Sequence, residues 1–164
     1  MIVRVFLADG GGPVGRLLVA RFVLRGHRVT AATTSEDLLE TLARWGARGT
    51  VMDGGDAVSV GVAVSAARPD AVVHRMTARG AASTDHLLAA AQAAGVPYVV
   101  LWSSGAAPRR LPDAETAVIE AGGAVLPRCG HLDAAVTATV LAVERRTAGV
   151  LRCAPHHPDE ESSR

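Results

Sequence analysis

A chain of 164 residues fits one domain and can bury a core of its own. With 49% hydrophobic and 20% charged residues it belongs to the globular class, and a formal charge of +1 argues against electrostatic binding to nucleic acid or membranes. Aromatics are only 3%, so the core must be built from Ala, Val and Leu, and all 17 basic residues are arginine, which leaves no lysine for chemistry.

Val3–Leu7 is a short apolar run that predicts a buried strand. Val14–Leu24 follows with Val14, Leu17, Leu18 and Phe22 as its apolar face and stops at Gly26, as a helix does. Arg28–Thr33 reads as a second strand. Ser35, Glu36 and Asp37 make a helix start, because an acceptor side chain and negative charge suit exposed N–H groups. Leu38, Leu39, Leu42 and Trp45 then recur at helical spacing. Thr50–Met52 predicts a third strand ending at Asp53, and Asp56–Ala67 a helix. After the Pro69-Asp70 turn, Ala71–His74 is a fourth strand and Ser83–Ala94 an Ala-rich helix closed by Gly95. Tyr98–Trp102 is the fifth strand, Pro112–Ala121 a helix stopped by Gly122-Gly123, and Ala124–Leu126 a sixth strand. Leu132–Arg146 is the last helix, and Val150–Cys153 adds an edge strand. The polar residues 155–164 are expected to form a flexible tail behind a single domain spanning 1–154.

Strands and helices alternate, which predicts a parallel sheet with helices on both faces. Cys129 and Cys153 show no metal or redox spacing and read as two small, partly buried residues. The opening segment has no basic leader and runs directly into glycines, and no charge-free apolar stretch reaches spanning length. A cytoplasmic protein is expected. His156-His157 has no third ligand at metal spacing, so no metal is expected.

Asp9-Gly10-Gly11-Gly12-Pro13-Val14-Gly15 joins the first strand to the first helix, and Gly10, Gly12 and Gly15 fit G-x-G-x-x-G in that context. Such a loop turns tightly and lets a diphosphate approach backbone N–H groups at a helix N-terminus. The fold expected is therefore a Rossmann-like doubly wound α/β sheet of about six strands in the order 3-2-1-4-5-6.

The stretches Arg4–Ala8 through Gly26–Thr30, Pro69–His74, Ala93–Ser104 and His131–Ala135 resemble the NAD-dependent epimerase/dehydratase proteins, the extended branch of the short-chain dehydrogenases. The resemblance implies Gly10, Gly12, Gly15 and Asp53 as cofactor-binding residues and Ser104 as a catalytic serine. It also implies a homodimer, for which Ser83–Ala94 and Pro112–Ala121 offer small side chains for close helix approach. Two departures stand out. Asp9 occupies the place of the family loop's first glycine, where a carboxylate repels a diphosphate. The family's Tyr-x-x-x-Lys dyad would fall near Ala107 and Leu111, and a chain without lysine cannot use it.

At the carboxyl ends of the strands, where such folds bind ligands, the sequence gathers Asp9, His74, Arg75, Thr77, Trp102, Ser103, Ser104, Arg128 and His131. Asp9, Ser104 and His131 are the candidate catalytic residues, with Asp9 expected to be desolvated among apolar strands and His131 able to titrate near neutrality. His74, Trp102, Ser103 and Arg128 are candidate substrate contacts, with a structural, hydrogen-bonded role as the alternative for His74. Arg109-Arg110 could clamp an anion, though a solvated basic pair is the simpler reading. These residues suit an enzyme that dehydrates, isomerises or cyclises a small organic metabolite without redox change and needs no cofactor. NAD(P) binding stays open, and with it a reductase or epimerase with a rearranged site. A non-catalytic nucleotide- or metabolite-sensing module is the third reading.

Overall fold

The computed structural model describes residues 1–75, 81–103 and 113–153. Seven strands among them form one parallel sheet: β1 (Arg4–Leu7), β2 (Arg28–Thr33), β3 (Arg48–Val51), β4 (Ala71–Arg75), β5 (Val99–Trp102), β6 (Ala124–Leu126) and β7 (Gly149–Val150). Their order is β3-β2-β1-β4-β5-β6-β7, which extends the expected order by the edge strand. The switch in winding direction falls between β1 and β4, where Val5, Phe6 and Leu7 pair with Ala71, Val72 and Val73.

The helices are α1 (Pro13–Leu24), α2 (Leu39–Arg44), α3 (Ala57–Ala67), α4 (Ala81–Ala93), α5 (Asp113–Glu120) and α6 (Leu132–Arg145). Alternate residues of a strand face opposite sides, so the sheet sorts its partners by parity. Val5, Leu7, Ala31, Val73, Val100 and Leu126 pack with Leu18, Val19 and Phe22 of α1, Leu42 of α2 and Val136, Val140 and Val143 of α6. Phe6, Ala32 and Val72 face Val60 and Val64 of α3 and Leu87 of α4, while Leu101 and Val125 meet Val118 of α5.

Several boundaries depart from the sequence reading. The buried stripe of α1 is Gly15, Leu18, Val19 and Phe22, spaced i, i+3, i+4, i+7, and Leu17 is 39% exposed because it points about 100° away from Leu18. Ser35 begins a single 3-10 turn, Glu36–Leu38, with no side-chain cap, and α2 starts only at Leu39. Asp56 does cap α3, its Oδ1 accepting from the Val58 N–H at 2.9 Å. The third strand begins earlier than expected, at Arg48. Among the described residues no helix is long and apolar enough to cross a membrane. The tail from residue 155 lies outside them.

The reading of the two cysteines as separate residues is corrected: Cys129 and Cys153 form a disulfide, with Cα atoms 6.1 Å apart. Each lies just beyond its strand, and β6 and β7 are parallel neighbours in which Val125 pairs with Val150. Adjacent parallel strands leave the sheet side by side, so residues distant in sequence meet there.

At the amino end of the central strand β1, a polar cluster ties the chain to α1 and α6. The Val3 N–H donates to His27 Nδ1 at 3.2 Å, so the ring proton is on Nε2, which donates to Glu144 Oε1 at 3.0 Å. Arg25 grips the same carboxylate, Nη2 to Oε2 at 2.8 Å, and these hydrogen bonds hold Glu144 down at about 2. A depressed carboxylate stabilises the fold above its unfolded value and loses that contribution as pH falls through the folded one. Glu144→Gln is expected to lower stability by about 1 kcal/mol at neutral pH, a gap that narrows from pH 4.5 toward 2. Urea unfolding of both proteins at two pH values checks this.

Candidate functional site

β1 ends at Leu7, and the chain is then pinned against both neighbouring strands. Ala8 N–H donates to Val73 O at 3.1 Å and Gly10 N–H to Ala32 O at 2.8 Å. The three motif glycines are needed for different reasons. A Cβ on Gly10 would lie 2.4 Å from the Ala31 Cβ, and one on Gly15 would lie 2.3 Å from the Asp9 carbonyl oxygen and 2.7 Å from Gly10 backbone. Those two close the turn onto β2 and α1 onto the loop. Gly12 is the N-cap of α1, and a Cβ there would meet only the Asp9 carboxylate, at 3.6 and 3.7 Å.

That last contact defines the site. The Asp9 carboxylate stands over the first turn of α1, the place where the helix N-terminus favours an anion. Arg75, at the end of β4, donates from Nη2 to Asp9 Oδ2 at 3.3 Å. The Asp9 side chain is 48% exposed, so the desolvation expected for it does not occur: the loop opens outward and a guanidinium compensates the charge.

The pair sits at the mouth of a cavity of about 320 Å³ whose walls include Ala32, Thr33, Met52, His74, Ser83 and Leu87. His74 is buried, its Nε2 lies 2.9 Å from Thr84 Oγ1 on α4, and its Nδ1 is buried without a hydrogen-bond partner among the described residues. Burial pushes its pKa down to about 4 against the pull of Asp9, so the ring is neutral at physiological pH. A histidine held neutral in the fold binds fewer protons than the unfolded chain between about 4 and 6.5, so stability falls as pH drops through that window. His74→Leu is expected to remove a drop on the order of 3 kcal/mol, read as a smaller difference between urea midpoints at neutral and mildly acidic pH.

The other sequence candidates are distributed around this centre. Asp53 is exposed just beyond β3, where its Oδ1 accepts from the Gly55 N–H at 2.9 Å, between the cavity residues Met52 and Gly54. Trp102 belongs to the opposite face of the sheet. Its Nε1 donates to Thr139 Oγ1 on α6 at 2.8 Å, which commits its polar atom to the core, while its ring walls the far side of the Asp9–Arg75 pair. Ser103 donates its N–H to Leu126 O at 2.8 Å. Arg128 and His131 are exposed in the loop between β6 and α6, and His131 is the N-cap residue of α6 without a side-chain cap bond. Strands β4 and β5 separate β6 from β1, and His131 lines neither of the two described cavities that Asp9 lines. Ser104, Thr77, Ala107, Arg109, Arg110, Leu111, His156 and His157 lie outside the described residues. Among the described residues no three His, Cys, Asp or Glu side chains converge as a metal site.

Three residues carry more weight than their place in the sequence suggests. Arg75 was one of many polar residues at strand ends, and Thr84 holds His74 from a helix ten residues on. Glu115, in the first turn of α5, is buried with Oε2 unpartnered among the described residues, on the same helix face as Val118. Its i, i+3 relation to Val118 is the only sequence signal of that burial. A larger cavity, about 480 Å³, lies between α4 and α5 against Tyr98 and Gly123 at the amino end of β5. It lies at the other end of the strands from the glycine loop, with Gln92 and Glu120 among its lining residues.

A dinucleotide would place its diphosphate at the N-terminus of α1. Gly10 and Gly15 provide the tight turn for it, but the Asp9 carboxylate over Gly12 puts a negative charge at that position, so the residues present do not fit the group.

No family model and no curated protein matches the chain. Solved structures do. WbmH of Bordetella bronchiseptica, in complex with NAD+, superposes with a TM-score of 0.70 at 14% identity over 92% of this chain and 75% of that one. UDP-glucose-4-epimerase from Stenotrophomonas maltophila, with bound NAD and formylated UDP-arabinopyranose, gives 0.68 at 15% identity, covering 90% and 76%. ChuY, an anaerobillin reductase from Escherichia coli O157:H7, gives 0.67 at 20% identity, covering 95% and 98%. The chain has the fold of the extended short-chain dehydrogenases.

Proposed function

We propose that this chain is a compact enzyme of short-chain-dehydrogenase fold that moves protons, not hydride, on a small organic metabolite. The observation that carries the reading is the Asp9 carboxylate, standing where the fold binds diphosphate and paired to Arg75 at 3.3 Å. The absence of lysine supports it, since the family's tyrosine–lysine route is closed. Asp9 acts as general base, taking a proton from a carbon beside a carbonyl and returning it at another position or to a departing hydroxyl. Arg75 has five N–H donors, so it can keep Asp9 oriented while it receives the oxygen on which charge develops. His74 remains neutral and orients the substrate by hydrogen bonding.

A second reading, an NAD(P)-dependent reductase or epimerase with a rearranged site, is favoured by the NAD bound in WbmH and in the epimerase. Deuterium uptake separates the two. In D2O with a panel of small keto and hydroxy acids, followed by proton NMR without added cofactor, the wild type is expected to exchange one C–H at least about 100-fold faster than Asp9→Asn. Equal rates in the two proteins would remove Asp9 as the base. Exchange that starts only when NAD(P) is added would favour the second reading.

A further inference from the structure

We propose that Cys129 and Cys153 form a reversible thiol–disulfide site, reactive toward low-molecular-weight thiols, whose oxidation state sets the position of the loop between β6 and α6. Three features support this. An arginine directly precedes each cysteine, Arg128 before Cys129 and Arg152 before Cys153. Guanidinium charge stabilises thiolates, which makes each sulfur a better leaving group and favours the reduced pair. Both cysteines are only half-buried, so a small thiol can reach them. The bond also closes a weak edge: β7 is two residues long, held by Gly149 N–H to Gly123 O at 2.9 Å and Leu151 N–H to Val125 O at 2.8 Å.

The reaction balances with two equivalents of thiol. A thiolate attacks one sulfur, forming a mixed disulfide and expelling the other cysteine as thiolate, which takes up a proton. A second thiol attacks the mixed disulfide and leaves as the oxidised dimer, so the protein gains two electrons and two protons. The chain has only two cysteines, so no third one can resolve the intermediate. In the oxidised protein the loop carrying Arg128 and His131 is clasped to the end of β7. In the reduced protein the clasp is open and the loop can leave the sheet edge.

The test uses the full chain in native buffers of reduced and oxidised glutathione, with thiols counted by maleimide mass shift and trypsin cleavage after Arg128 followed in parallel. Two thiols are expected to appear together at millimolar reduced glutathione while the fold persists, and cleavage after Arg128 is expected to rise at least about tenfold. Cys129→Ser/Cys153→Ser should be cut at the reduced rate whatever the glutathione ratio. Arg128→Gln/Arg152→Gln, read by thiol counting alone, should need several-fold more reduced glutathione for half-reduction. The proposal fails if the oxidised protein already has two free thiols, or if the bond survives until the fold melts. It fails equally if reduction leaves cleavage after Arg128 unchanged, or if the arginine variant is reduced at the wild-type ratio.

Discussion

Replacing Asp9 by glycine is expected to tighten binding of NADH by at least about tenfold, against the usual rule that losing a site residue weakens binding. Two unit charges about 4 Å apart repel by about 4 kcal/mol at the effective dielectric of a protein surface, and the half-exposure of Asp9 reduces this to about 1–2 kcal/mol. That alone is worth about 5- to 30-fold in affinity. The substitution has a second effect: it releases Arg75 from its partner at 3.3 Å and leaves a guanidinium beside the N-terminus of α1, ready for phosphate. Asp9→Asn should recover part of the gain, because it removes the charge and keeps the side chain over Gly12. Fluorescence titration with NADH across the three proteins gives the order glycine, asparagine, aspartate from tightest to weakest. An unchanged affinity in Asp9→Gly would mean that the carboxylate does not occupy the diphosphate position.

Gly15→Ala is expected to cost about 3 kcal/mol of stability or more, and it acts through the same loop. The added methyl would lie 2.3 Å from the Asp9 carbonyl oxygen and 2.7 Å from two backbone atoms of Gly10. Backbone cannot rotate away as a side-chain end can, so α1 must shift off the loop, which loosens the packing of Leu18, Val19 and Phe22 against the sheet. In a chain of this size that corresponds to a fall of roughly 6–12 °C in Tm. Gly12→Ala is the internal control, since its methyl would make only ordinary contacts with Asp9. Calorimetric melting of both variants should give a large drop for Gly15→Ala and a small one for Gly12→Ala. Similar Tm values would show that α1 is not packed on the loop in this way.

The parallel sheet, its order and the glycine turn were legible because each rests on local pattern: β-branched runs, glycine stops and a motif between strand and helix. The helical face of α1 was half legible. Leu17 and Leu18 are both apolar, and only packing decides that Leu18 goes inward. The disulfide was hidden because it depends on β6 and β7 being parallel neighbours, which no spacing between Cys129 and Cys153 encodes. At the site, the sequence placed Asp9 correctly in the loop but mistook its environment. Apolar strands on either side suggest desolvation, whereas the pairing with Arg75 arises from the switch in strand order that brings the ends of β1 and β4 together. The same strand order puts two strands between those that lead to Asp9 and His131, which chain order alone could not reveal. His74 was read with a substrate contact and a structural role both open, and the structure shows the structural one, a ring nitrogen on Thr84.

The claim at the centre is that Asp9 has taken over the diphosphate position and closed the fold to its usual cofactor. Isothermal titration of the wild-type protein with NAD+, NADH, NADP+ and NADPH at neutral pH tests it most directly. The account predicts no saturable binding of any of the four at micromolar concentration, and saturable binding of one of them in that range would contradict it.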